Sequence, residues 1–284
     1  MATSTVRRPE PAPVLAPPAG SGDKPTAIPR THRNELPLFL PQAFASVTLS
    51  IDALPKLFSA NEKVTVLRAD DNVHFLDDDR YATREEIPIA DLLANLDIDA
   101  DQQARRMYYR TAVPPELARR LEAEPLIRSV GNSYSGGDGT LSPLARLWSS
   151  SSGSVTPLHY DKCHGLLIQL HGHKRFIIFP RTDARNCYLH NGITGPTHAS
   201  RARGTDRAFM DLAESSEAAT TLLDAYPKFA DTTPWVVTLA PGDAVYTPPG
   251  FLHEVTSITA SVSVTVPWDM TPAELDDRPA FMAF

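Results

Sequence analysis

The chain has 284 residues, 42% hydrophobic and 21% charged, a balance that excludes wholesale disorder, a collagenous repeat and a coiled coil. Its 27 basic and 34 acidic residues give a formal charge of −7, which argues against coating a nucleic acid, so no nucleic-acid partner is expected. No apolar run approaches the roughly 20 residues of a bilayer-spanning helix, prolines interrupt any N-terminal export signal, and Cys163 and Cys187 are too few for a disulfide framework. A cytoplasmic protein without membrane contact is expected.

Residues 1–30 hold seven prolines and almost no large apolar side chains, so they read as a flexible tail. Residues 31–284 read as a single domain. A short helix is expected over 51–59. Two strands over 63–68 and 72–76 flank Asp70 and Asp71 and read as a hairpin. A helix over 88–96, a strand over 106–110 and a proline-initiated helix over 114–122 follow. The remainder is short and apolar or alternating: strands are expected over 144–149, 155–159, 166–171, 174–179, 235–239, 244–247, 254–257 and 261–267. Ser-Gly, His-Gly-His, Pro-Gly-Asp and Pro-Pro-Gly signals separate them. This spacing predicts a mainly β domain, a barrel or a sandwich. Residues 181–234 interrupt the series as an insertion with a helical stretch over 206–226, longer than an ordinary loop. A helix there would place Phe209, Leu212 and Ala213 on one face near Arg203 and Arg207, which predicts a wall or lid over a site at the barrel mouth; the alternative is an outward-facing excursion that packs on the barrel flank and touches no ligand.

The residues with the strongest chemical signal lie in Thr156-Pro-Leu-His159-Tyr-Asp161. On a strand, residues i and i+2 share a face, so His159 and Asp161 present an imidazole and a carboxylate together. His253 follows a Pro-Pro-Gly-Phe-Leu turn at the start of another strand. Two histidines and one carboxylate on one side of a metal leave opposite positions open, the arrangement of non-haem Fe(II) oxygenases. The competing reading of His-x-Asp alone is a hydrogen-bonded pair on a strand. Lys174 shares a strand face with Phe176 and Ile178, where an ammonium is costly unless it meets an anion such as a cosubstrate carboxylate; the alternative is an edge lysine that snorkels into water.

These residues resemble the Jumonji-C, cupin-like Fe(II)- and 2-oxoglutarate-dependent oxygenases, and most of all the asparaginyl hydroxylases of the hypoxia-inducible factor. The similarity runs from about Leu36 to Trp268. It is strongest in the blocks 155–161 to 174–180 and 241–253 to 261–268. The resemblance implies a double-stranded β-helix, the cupin or jelly-roll barrel, with flanking helices and an insertion between core strands. It implies His159, Asp161 and His253 as iron ligands and catalytic centre, Lys174 as the partner of the distal carboxylate of 2-oxoglutarate, and Thr156 and Tyr108 as its hydroxyl partners. Fe(II), 2-oxoglutarate and O₂ are then the expected cofactors, and hydroxylation of an amino-acid residue in a peptide or protein the expected reaction. Where those hydroxylases carry asparagines near the cosubstrate, this chain has Gly165 and Pro267.

A free amino acid or small metabolite as substrate, a metal-binding cupin module without turnover, and another metal enzyme on the same barrel are the alternatives. The second predicts loss of a cosubstrate residue, whereas the triad and Lys174 are all present. Cys163 and His164 lack a Cys-x-x-Cys partner for zinc and are expected at the surface or behind the ligands. His171 and His173 are expected in an exposed turn, and Trp235 and Trp268 as packing residues. Six basic residues fall in 105–128 and seven in 174–207; if they line the cleft, the substrate is acidic.

Overall fold

The computed structural model describes Leu15 and residues 25–29, 31–59, 61–71, 73–75, 82–96, 106–132, 139–205 and 217–282. Most of residues 1–30, expected as a tail, and residues 206–216, which carry Phe209, Leu212, Ala213 and Arg207, lie outside the described residues. Leu15 itself is buried, and its backbone N–H donates to Val236 O at 2.7 Å.

Among the described residues twelve strands form two antiparallel sheets. In chain order they are β1 (Leu38–Leu40), β2 (Lys63–Ala69), β3 (Ala82–Pro88), β4 (Tyr108–Ala112), β5 (Arg146–Ser150), β6 (Val155–Tyr160), β7 (His164–His171), β8 (Lys174–Phe179), β9 (Trp235–Leu239), β10 (Ala244–Thr247), β11 (Leu252–Ser257) and β12 (Ser261–Trp268). The larger sheet runs β1-β10-β7-β12-β5-β4-β2-β3 and the smaller β6-β11-β8-β9. From β5 to β12 the chain switches sheets at every step except β8 to β9, which winds two facing sheets into the jelly-roll barrel. The fold is mainly β, as the strand spacing predicts.

Alternation decides which side chains enter the lumen. On β12, Val262, Val264, Val266 and Trp268 join the largest apolar cluster behind the larger sheet, whereas Thr265 and Pro267 line the lumen. That cluster is closed by helices α1 (Ile89–Leu96), α2 (Pro115–Glu122) and α3 (Pro125–Gly131) through Leu92, Leu96, Leu117, Leu121, Leu126 and Ile127. β8 is buried on both faces. Phe176 and Ile178 pack inside with Val237, Leu239 and Val255, while Ile177 and Phe179 pack outward against Leu223 and Phe229 of the insertion. The insertion therefore covers the back of the smaller sheet with the helix Glu217–Ala225 and the 3₁₀ turn Pro227–Asp231.

Two expectations are corrected. β2 pairs with β3, from Lys63↔Pro88 to Ala69↔Ala82, and not with residues 73–75, the part of the expected strand 72–76 that lies within the described residues. Asp71 Oδ1 accepts the backbone N–H groups of Val73 and His74 at 3.0 and 2.8 Å, turning the chain so that Phe75 N–H donates to Val155 O at 2.8 Å. The expected helix over 51–59 is a 3₁₀ helix, Ile51–Leu57, containing Pro55, whose missing N–H and ring disfavour a regular α-helix.

Candidate metal centre

β6 and β11 are neighbours in the smaller sheet, and His159 pairs directly with His253. A bulge between His253 and Val255 re-aims the start of β11, as bulges beside functional sites do. The imidazole centroids lie 4.4 Å apart, and Asp161 Oδ2 lies 3.9 Å from His253 Nε2. One ligand atom from each of His159, Asp161 and His253 falls within 4.8 Å of the others, so the three could hold a metal ion.

Local backbone contacts fix each ring. His159 Nδ1 lies 2.8 Å from Pro157 O and His253 Nδ1 3.1 Å from Phe251 O. A carbonyl only accepts, so each Nδ1 carries the proton and each Nε2 keeps its lone pair for a metal. Burial and the neighbouring His253 push the pKa of His159 down to about 4, which keeps its imidazole neutral. The turn Pro248-Pro249-Gly250-Phe251 delivers His253. Gly250 has φ of 77° and a Cβ there would stand 2.4 Å from Met282 Sδ. Gly250 N–H also donates to Asp161 O at 2.9 Å, tying the two ligand-bearing segments together.

Lys174 is 2% exposed, and its ammonium donates to Ser263 Oγ at 3.0 Å. Burial pushes its pKa down to about 7. Lys174 lies four residues along β8 from Ile178, which pairs with His253, so about 13 Å of strand separates the two levels on one lumen face. Tyr108 and Thr156 share a 2.8 Å hydrogen bond between hydroxyls, and the Lys174 Nζ stands 6.0 Å from the Tyr108 ring centroid. All six expected site residues line one cavity of about 350 Å³. The buried ammonium keeps two N–H donors beyond Ser263 and meets no carboxylate among the described residues. A histidine–carboxylate–histidine cluster beside an uncompensated buried cation fits a divalent metal plus a dicarboxylate cosubstrate.

The other expectations divide. Gly165 and Pro267 pair across β7 and β12 and line the cavity. Cys163 also lines it, with its thiol pushed up to about 12 by burial and nearby carboxylates. His164 is completely buried, stacked on Trp268 at 5.0 Å and Tyr246 at 6.0 Å, not at the surface. His171 and His173 flank Gly172 in the β7–β8 turn. Trp268 packs in the large cluster, and Trp235 stacks on Phe251 at 6.5 Å. Of the insertion, Pro196 and His198 reach the cavity, and residues 198–200 cover the open edge of β6, with Tyr160 N–H donating to His198 O at 2.9 Å. Arg203 instead lies 4.0 Å from Asp71. Ser263, Phe75, Arg146 and Trp148 escaped the sequence reading. The signal for Ser263 was the Ser-Val-Ser-Val-Thr-Val alternation of β12, which marks the small polar residues as the lumen set. Phe75 had no comparable signal, because it reaches the cavity by stacking on Tyr108 at 5.3 Å after an irregular turn.

Among the described residues no helix is long and apolar enough to cross a membrane. The sequence is 32% identical over 124 residues to Jumonji C domain-containing protein 5 of Drosophila melanogaster, a match covering 44% of this chain and 27% of that one. It is 29% identical over 129 residues to tRNA wybutosine-synthesizing protein 5 of Homo sapiens, covering 45% and 35%. The matches thus span about a quarter to a third of the length of these relatives. Among solved structures, the Escherichia coli ribosomal oxygenase YcfD in complex with cobalt and 2-oxoglutarate matches 86% of this chain and 51% of its own at 16% identity, with a TM-score of 0.45. Jumonji-C and cupin-like oxygenases use Fe(II) and 2-oxoglutarate, which the donor set of His159, Asp161 and His253 suits; residues 44–274 match the Cupin-like domain family, and the chain belongs to it.

Proposed function

We propose that the chain is an Fe(II)- and 2-oxoglutarate-dependent hydroxylase whose acceptor is an amino-acid side chain in a peptide or protein. In this reading His159, Asp161 and His253 hold the iron, and Lys174, with the Tyr108–Thr156 hydroxyl pair, holds the distal carboxylate of 2-oxoglutarate. The observation that carries it is the ammonium of Lys174, 2% exposed, facing the same lumen as the histidine–carboxylate–histidine cluster. When bound, the metal and 2-oxo acid supply oxidative decarboxylation coupled to insertion of one oxygen atom of O₂ into a C–H bond. The protein's own residues bind, orient and shield. Pro157 O and Phe251 O keep both imidazoles in the ligating tautomer. Ser263 steers the lysine. Phe75 and Phe176 form apolar walls that keep water from the reacting centre.

The likeness of the ligand blocks to the asparaginyl hydroxylases of the hypoxia-inducible factor supports an amino-acid acceptor. The cavity of about 350 Å³, near the small end for ligand sites, suits a single side chain beside the cosubstrate. The same volume admits a free amino acid, the second reading. Succinate formation from 2-oxoglutarate, measured with Fe(II), ascorbate and panels of peptides and free amino acids, tests both. The expected result is Fe(II)-dependent succinate stimulated by peptides that gain one oxygen atom by mass. Stimulation by free amino acids alone would move the assignment to the second reading, and no 2-oxoglutarate binding at all would leave a metal-binding module without turnover.

A further inference from the structure

Arg146 and Trp148 project from one face of β5, level with Ala112 and Arg110 of β4 on one side and Thr265 and Ser263 of β12 on the other. Arg110, Arg146 and Trp148 all line the metal-centre cavity. Charge there is one-sided. Asp161 is the single carboxylate among the described residues lining it, against Arg110, Arg146 and Lys174. A metal would neutralise Asp161, and Lys174 is committed to the cosubstrate, which leaves the guanidinium of Arg146 to be accounted for.

Arg146 is half-buried, and one corner of its guanidinium is fixed. Nη1 donates to Pro143 O at 2.9 Å and to Ala145 O at 2.8 Å. Among the described residues no carboxylate pairs with it. A guanidinium anchored to two carbonyls keeps its remaining N–H groups in a set plane, the geometry that suits a planar oxyanion. Arg110 Cζ lies 5.4 Å from the centroid of the Trp148 ring, holding the second cation against the same wall. The indole Nε1 of Trp148, on the same strand, is buried without a hydrogen-bond acceptor among the described residues. A desolvated N–H with no acceptor is unfavourable.

We propose that the wall formed by Arg146, Trp148 and Arg110 binds a carboxylate of the substrate, so that the enzyme selects an acidic acceptor over its neutral amide. The inference rests on the oxygenase reading and names the substrate class of that site. Carboxylates accept hydrogen bonds only and fit an arginine fork in bidentate fashion, whereas an amide turns an N–H₂ toward one cationic donor.

The test uses the full chain loaded with Zn(II) and saturating 2-oxoglutarate, which permits binding without turnover. Calorimetry or ligand-observed NMR compares N-acetyl-aspartate and N-acetyl-glutamate methylamides with their asparagine and glutamine counterparts. A parallel set of the free amino acids separates a peptide source of the carboxylate from a free one. The expected result is tighter binding of the acidic member by roughly 10- to 100-fold, the range of a charge-assisted contact. The preference should collapse in Arg146→Gln and weaken in Arg110→Gln, while metal and 2-oxoglutarate affinities measured by titration stay in place. Arg185→Gln, on the outer face of the insertion, removes the same charge and should leave the preference intact. Equal binding of both members, no binding of either, or equal loss in Arg185→Gln overturns the inference while the oxygenase reading stands. Failure of the wild-type chain to bind 2-oxoglutarate overturns that reading and the inference with it.

Discussion

Lys174 and Ser263 meet across the inside of the barrel: the lysine of β8 in the smaller sheet donates to the serine hydroxyl of β12 in the larger at 3.0 Å, both side chains buried. This contact bridges the two sheets through a cation with no described counter-ion. Ser263 sets the direction of the ammonium but does not neutralise it, and an unpaired buried charge is retained at a cost in stability.

Replacing Lys174 with Met should therefore separate stability from function. The metal-free, cosubstrate-free protein should melt at a higher temperature than wild type, because an apolar side chain of similar length replaces a desolvated cation. Affinity for 2-oxoglutarate should fall by about 10- to 150-fold, the equivalent of roughly 1.5–3 kcal/mol for a charged hydrogen bond, while metal affinity holds. Calorimetric melting and 2-oxoglutarate titration on one sample decide it. Unchanged 2-oxoglutarate affinity would return Lys174 to a structural role.

The same lysine imposes a pH dependence. Its folded pKa is about 7 against 10.5 for the free side chain, so between those values the unfolded chain binds more protons than the native one, and stability rises with pH. Urea unfolding of the apo protein from pH 7 to 9 should show this rise, and Lys174→Met should flatten it. Affinity for 2-oxoglutarate should move oppositely, weakening above pH 7 as the ammonium deprotonates. Parallel stability curves for the two proteins would remove Lys174 as the titrating group.

The eight barrel strands were legible because each is short, apolar or alternating, and closed by a turn signal. The metal cluster was legible because His159 and Asp161 sit two residues apart around the end of one strand. What escaped was set by tertiary partners. β3 reads Ala-Thr-Arg-Glu-Glu-Ile-Pro, with no apolar face, because it is the outer strand of its sheet, where charged residues suit an exposed edge. Its attachment comes from the backbone ladder to β2, with cross-strand ion pairs added on the exposed face, Arg68 to Glu85 at 2.8 Å and Lys63 to Glu86 at 3.1 Å. The insertion was expected as a lid or as a flank. Its Pro196 and His198 wall the cavity, and its Leu223 and Phe229 cover the back of β8, a division that no local sequence pattern encodes.

Gly250→Ala should damage the metal centre from outside it. The residue adopts φ of 77°, unfavourable for a side chain by roughly 1–2 kcal/mol, and the new methyl must displace the Met282 thioether. The strain falls on the turn that aims His253 and on the Gly250–Asp161 backbone hydrogen bond. Metal titration should show weakened binding together with a lowered melting temperature. If melting falls while metal affinity is untouched, the turn does not position His253.

His164 supplies the last prediction, because it latches the C-terminal helix Pro272–Asp276 to the barrel. Its Nδ1 lies 2.9 Å from Tyr246 Oη and its Nε2 3.4 Å from Glu274 Oε2. Glu274 also closes the capping box of that helix, accepting the Thr271 N–H at 2.6 Å. Burial between Tyr246 and Trp268 holds the His164 pKa down to about 4, against 6.5 for a free imidazole. From pH 6.5 down to 4 the unfolded chain takes up a proton that the native imidazole refuses, so this group lowers stability as the solution is acidified. The full difference is at most about 3.5 kcal/mol at roughly 1.4 kcal/mol per pKa unit. His159 titrates in the same direction in the metal-free protein, so the informative quantity is the difference between wild type and His164→Phe. Phe keeps the stacked ring but gives up both hydrogen bonds. At pH 7 the variant should be less stable by about 1–2 kcal/mol. On acidification to pH 4.5 the gap should narrow, because the variant has no imidazole to protonate on unfolding. Urea unfolding in a chelator across that range measures both curves, and a gap that stays constant or widens would show that His164 does not titrate with unfolding.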